Sequence, residues 1–284
     1  MRPGVTPGPL PVTAPDASTP MARPSWIAPL LAALAPWAAV VLVWELAARH
    51  GWISVALFPP PTAFVGYLVE EKFSFGLGRD AMSVHWSIIA SFLRVLAGLA
   101  LGFVAALTAG ILISMSRAAS LLTLPLVRGL APIAPIAWIP LGIVLFGLGN
   151  PTAVFIVFVG VFFVLTIATV SAVSAVDPRL IKTAKTLGAS PRHIWLRVIF
   201  PAIIPQVFTM LRLNFFGAWM GVLAAEMVGL RNGLGALIIM GREMFNANLI
   251  LVGMALIGAS GYAVDSLLVF VQRRVLWWRP DAQP

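Results

Sequence analysis

Three groups of residues in this chain have types and spacings that could do chemistry. The run from Asp177 to Pro201 carries Arg179, Lys182, Lys185, Arg192 and Arg197 between two long apolar stretches, a basic surface suited to docking. Further on, Phe215, Phe216, Trp219, Leu223 and Glu226 all fall within about 60° of Arg212 on a helical wheel. A stripe with a cation at one end and an anion at the other could line a path for a polar solute. Third, Gly258-Ala259-Ser260-Gly261 has the Gly-x-Ser-Gly spacing of intramembrane serine proteases. Such an enzyme needs a His on a later helix, and none follows His193, so close helix packing is the simpler reading. His50, His85 and His193 are far apart and there is no Cys, so no metal site is expected and no disulfide can form. No phosphate-cradling Gly-x-x-x-x-Gly-Lys loop is present, so any energy must come from a partner or an ion gradient.

The elements that position these residues follow from composition. The chain is 60% hydrophobic with a mean hydropathy of +0.97, and only 10% of its residues are charged. A soluble domain carries about 25% charged residues. Apolar runs of about 20 residues recur, long enough to cross a bilayer. The sequence therefore predicts an all-α integral membrane protein. Six spans are expected, over about 27–48, 88–115, 121–148, 151–175, 206–229 and 248–271. In the second, Gly98, Gly102, Ala106 and Gly110 recur every fourth residue, a stripe for close helix approach. The third holds Pro125, Pro132, Pro135 and Pro140, which argue against a straight helix. Irregular backbone at membrane depth is tolerated where it is buried in protein or lines a cavity. Pro135 and Trp138 thus join Arg212, Phe215, Trp219 and Glu226 as candidate pathway residues. The alternative is a kinked packing helix, with Arg212 and Glu226 pairing with other helices. Glu45 and Asp265, near span ends, are expected in structural or interfacial roles.

The net charge of +9 sits in short loops between spans, which is a membrane topology signal rather than a nucleic-acid one. Arg2, Arg23, Arg117, the 177–201 island, Arg273, Arg274 and Arg279 all fall on one side of a six-span chain. That side is the cytoplasm, with both termini in. Residues 1–24 are Pro-rich and expected to be a disordered cytoplasmic tail. Residues 25–275 form the membrane domain and 276–284 a second tail. Outside, a short helix is expected over about 63–72, after Pro59-Pro60-Pro61.

The punctuation of 177–201 predicts two short helices. Asp177 can cap the first, with Pro178 at its first position and Gly188 as its stop. Leu180, Ile181, Ala184 and Leu187 share a face. Ser190-Pro191 repeats the start signal for a second helix ending near Pro201.

From Lys182-Thr183-Ala184, through Gly188-Ala189-Ser190, to Val198-Ile199-Phe200-Pro201, this stretch resembles the EAA loop of binding-protein-dependent ABC importer permeases. The Gly-to-Pro spacing is that of the family, while Lys182 and Thr183 replace its usual Glu and Ala. Segments 85–94, 132–149 and 212–229, Gly233-Leu234-Gly235 and the Arg-rich tail are similar to the sulfonate, taurine and nitrate branch. The resemblance spans roughly 26–279. It implies a type I permease-like bundle in the cell inner membrane, a transport subunit and not an enzyme. Its implied partners are a second copy in a homodimer, two cytoplasmic ATPases gripping 177–201, an outer substrate-binding protein and membrane lipid. ATP and Mg would be bound by the ATPases alone, and the solute would be a small anion. A gradient-driven secondary carrier is the alternative, but it would show ion ligands at mid-membrane, often in an internal repeat.

Overall fold

In lipid a chain must satisfy its backbone hydrogen bonds internally, and apolar runs of this length do so as helices. The computed structural model of the chain describes residues 27–56, 58–70, 74–75, 82–230 and 232–276. The tail 1–24, Arg231, Arg279 and most of the mixed outer loop around Arg79 lie outside the described residues. The helices are α1 (Ile27–Arg49), α2 (Pro61–Glu70), α3 (Val84–Met115), α4 (Arg117–Leu130), α5 (Ile139–Phe146), α6 (Asn150–Ser174), α7 (Pro178–Thr186), α8 (Pro191–Ile194), α9 (Phe200–Gly229), α10 (Leu234–Glu243) and α11 (Ala247–Val275). A two-residue antiparallel pairing, Ser74–Phe75 with Met82–Ser83, is the only strand structure among the described residues.

The small-residue stripe of α3 packs on α6. A Cβ at Gly98 would lie 2.4 Å from Val157 Cβ, one at Gly102 3.2 Å from Val161 Cβ, and one at Gly110 2.5 Å from Thr169 Cβ. Contacts run in the same order along both helices, so α3 and α6 point the same way. The chain must therefore cross the bilayer once between them.

That crossing is the broken pair α4 and α5, bent by 96°. The span expected at 121–148, whose prolines argued against a straight helix, is two helices with a 3-10 turn, Pro135–Trp138, between them. The break seats Pro135 as a wedge: Cβ atoms at Gly160 of α6 and Gly221 of α9 would each lie 3.0 Å from its ring. A proline ring fits this crevice because it brings no N–H that needs a partner.

Four helices among the described residues are long and apolar enough to span, five with the bent pair, and α1 adds 23 helical residues, about 35 Å. The described core runs through the α3–α6–α9 interfaces, with Val157, Val161, Val207 and Phe215 fully buried. Outside it, α2 begins at Pro61 and ends at Glu70, close to the expected 63–72. Its N-terminus is capped by Glu45, whose carboxylate accepts from Thr62 N–H at 3.2 Å and Thr62 Oγ at 2.8 Å.

Candidate functional site

The loop expected to dock a partner is built from strong local signals. Asp177 Oδ1 accepts from Arg179 N–H at 2.8 Å, and Pro178 opens α7. At the other end Gly188 N–H donates to the Lys185 carbonyl and Ala189 N–H to the Ala184 carbonyl, both at 3.0 Å. This paired closure requires a left-handed residue between the two helices, and Gly188 takes it with φ +77°. Ser190 Oγ then accepts from His193 N–H at 3.4 Å to start α8.

The shared apolar face of α7 divides in the structure. Ile181 and Ala184, with Ala189 and Ile194, pack toward the bundle. Leu180 and Leu187 point outward, 51% and 81% exposed, beside exposed Arg179, Lys182, Thr183, Lys185 and Arg192. The loop meets the bundle through a narrow contact and leaves half its apolar face uncovered.

The expected end of the second short helix near Pro201 is corrected. A π-helical turn, Trp195–Ile199, joins α8 to α9, and Phe200 N–H reaches back to the Trp195 carbonyl. The wider turn makes room for the Pro201 ring, which has no N–H to satisfy. Helix continues from Pro191 to Gly229, 39 residues or about 58 Å.

The stripe on α9 is not an open wall in the single chain. Phe215, Trp219, Leu223 and Glu226 are buried, while Phe216 is exposed. Of the small residues at 258–261, Gly261 lies against the Trp219 indole and shows the expected close packing, whereas Gly258 and Ala259 are exposed and a Cβ at Gly258 would meet nothing within 4 Å. Pro135 and Trp138 are half-buried; the Trp138 ring stacks on Phe163 and its buried Nε1 has no partner among the described residues.

Glu226 is locked by a group of partners that the sequence did not expose. Its Oε1 accepts from Ser91 Oγ and Arg94 Nη1, each at 2.7 Å, and its Oε2 from Gly235 N–H at 3.0 Å. Ser91 Oγ in turn accepts from Leu234 N–H. The carboxylate thus sits at the positive end of α10. Gly233-Leu234-Gly235 has a steric reason: a Cβ at Gly233 (φ +126°) would lie 2.5 Å from Glu226 Cδ, and one at Gly235 2.5 Å from the Leu223 carbonyl oxygen. Arg94 also donates to Asn150 Oδ1 and to the backbone and side chain of Asn232. One side chain of α3 ties together α6, α9 and the loop before α10. The signal that could have found it was a lone Arg inside a 32-residue apolar helix, since such a charge demands a partner.

Arg212 pairs with Asp265 of α11 in a two-point contact, Nε to Oδ1 at 2.7 Å and Nη2 to Oδ2 at 2.9 Å. The structural role expected for Asp265 is therefore partly the neutralising of Arg212. Unlike the Arg94–Glu226 pair, this one is accessible: the Arg212 side chain is 38% exposed.

Residues 98–277 match a family described as the inner membrane component of binding-protein-dependent transport systems. The chain is 36% identical to a putative ABC transporter permease protein of Methanocaldococcus jannaschii, over 85% of this chain and 90% of the relative. It is 25% identical to the taurine transport system permease protein of Escherichia coli, over 87% of this chain and 89% of the relative. In fold it is similar to an inward-facing methionine ABC transporter structure, with a TM-score of 0.55 and 20% identity over 66% of this chain and 92% of that one.

Proposed function

The chain belongs to the family of inner membrane components of binding-protein-dependent transport systems, and on that premise we propose that it moves a small anion, of sulfonate, taurine or nitrate type, into the cytoplasm. It is a multi-pass permease subunit of an ABC importer. In this reading two copies form a homodimer with the path between them, and both termini face the cytoplasm. Two ATPase subunits hold the 177–201 loops and supply ATP with its Mg. An outer binding protein delivers the solute.

The observation that carries the reading is the exposed, capped two-helix loop joined without a break to α9. Leu180 and Leu187 offer apolar anchors within a basic rim, a composition that fits an interface core and its surround. Because α8 runs into α9 as one helix, a push on the loop is carried as a lever past Arg212 and Trp219 toward Glu226. The Arg94–Glu226 network clamps the far end, so the motion turns α9 about that point. The taurine permease relative supports a solute that bears a sulfonate group.

A gradient-driven carrier would need uncommitted ion ligands at mid-membrane. Arg94, Glu226, Arg212 and Asp265 all have partners, which favours the importer.

The test is co-purification of an ABC ATPase with the tagged chain from its native membrane, followed by solute-stimulated ATP hydrolysis in liposomes. Gly188→Asp should lose capture or coupling. A side chain there meets the strain of φ +77°, roughly 1 kcal/mol or more, while its Cβ would touch nothing within 4 Å among the described residues. Full capture and coupling in Gly188→Asp would remove the loop as the docking element.

A further inference from the structure

The inner halves of α9 and α11 flank a cavity of about 310 Å³ that is open on one side, lined by Arg212, Tyr262, Asp265, Ser266, Val269, Phe270 and Arg273. Arg212 lies 12 residues beyond the start of α9, about 18 Å, on the half of the bundle nearer the 177–201 loop. Tyr262 is 76% exposed, and Ser266 and Arg273 are exposed with it on one side of α11. Lipid cannot cover a face that presents an arginine, an aspartate and two hydroxyls at this depth. The face must meet water or another polar surface.

We infer that this cavity is a transit site for a small monovalent oxyanion, such as a sulfonate or carboxylate. The chemistry follows from what the ion pair leaves unused. Asp265 takes Nε and Nη2 of Arg212, and among the described residues Nη1 remains for a further acceptor. Tyr262 and Ser266 add hydroxyl donors on the same side of α11. Arg212, Asp265 and Arg273 together leave one net positive charge, which selects an anion over a cation. Asp265 also weakens the attraction, as a site that must release its ligand requires. A volume near 300 Å³ is at the lower end for small-ligand sites and suits a molecule of a few heavy atoms. The direction of transit rests on the importer reading above; the anion preference does not.

The test uses the full chain in lipid nanodiscs, on its natural cysteine-free background. Ser266→Cys is treated with 2-sulfonatoethyl methanethiosulfonate and, separately, with the trimethylammonium analogue. Rates are referred to those of the neutral thiol 2-mercaptoethanol. The expected result is an anion preference on the order of tenfold over that reference, the effect of one net charge in a partly screened cavity. Excess ethanesulfonate should slow the modification and choline should not. Arg212→Gln should abolish the preference, and where breaking the ion pair prevents folding, Arg273→Gln should reduce it. Three results overturn the site: no modification by either reagent, a disulfide between two copies in place of modification, or the reference ratio of rates. Each is compatible with ATPase capture by the 177–201 loop, so the anion site can fail while the importer reading stands. Loss of that capture in the wild-type chain is the reverse case.

Discussion

Replacing Arg94 with Met removes the cation from the most deeply buried charge network described in the chain. Glu226 is 1% exposed and would keep only Ser91 Oγ and Gly235 N–H. Asn150 and the loop at Asn232 would lose their tie to α3. Breaking a buried pair by deleting one partner costs about 3–5 kcal/mol, because the other charge is left uncompensated. The double replacement, Arg94→Met with Glu226→Met, leaves no buried charge. Its cost should fall to about 1–3 kcal/mol, set by the backbone N–H of Gly235 and the Ser91 hydroxyl, which lose their acceptor. The two changes should therefore couple by roughly 2 kcal/mol or more in a double-mutant cycle. Reversible unfolding in mixed micelles, followed by circular dichroism and total tryptophan fluorescence, measures all four corners of the cycle. The reasoning fails if Arg94→Met costs less than about 1 kcal/mol, or if the single costs simply add. The clamp would then be packing alone, and the pivot assigned to the outer end of α9 would go with it.

Gly233→Ala should destabilise the chain by roughly 2 kcal/mol or more, since φ +126° and a Cβ 2.5 Å from Glu226 Cδ act together, whereas Gly66→Ala, on α2 with nothing within 4 Å, should be neutral or up to about 1 kcal/mol stabilising; thermal unfolding of both variants decides this. Lys182→Glu restores the acidic residue usual in the family at an exposed position, so assembly with the ATPase should survive it, and loss of co-purification would show that the partner requires the cation. Arg192→Cys should be labelled by an impermeant thiol reagent only from the cytoplasmic side, and labelling from outside intact cells would overturn the six-span orientation.

Strong local signals made much of the loop legible. Asp177-Pro178, Gly188 and Ser190-Pro191 act within a few residues of themselves, through a cap, a left-handed turn and a second cap. Their outcome does not depend on distant packing. The Gly98-to-Gly110 stripe was equally readable, because small residues at helical spacing have few uses other than close approach. The proline-rich third span announced a break, although the 96° bend needed the crevice between Gly160 and Gly221 that Pro135 fills. The second short helix was misjudged, because a π turn can carry a helix through Pro201 and nothing local announces one.

Composition and spacing by themselves determined the class of protein and the capped two-helix form of the 177–201 loop, since hydropathy and capping are properties of short segments. Only the tertiary structure decided which charges face protein and which face an opening. Arg94 and Glu226 are 132 residues apart, and Arg212 and Asp265 are 53 apart. No pattern along one helix reveals a partner on another. A wheel placed Arg212, Trp219 and Glu226 on one stripe. Packing then buried Trp219 against Gly261 and locked Glu226 under α10, while Arg212 stayed open to a cavity. Desolvation sets that division: a buried charge must find its counter-charge and hydrogen bonds across the fold, and the fold alone says where they are.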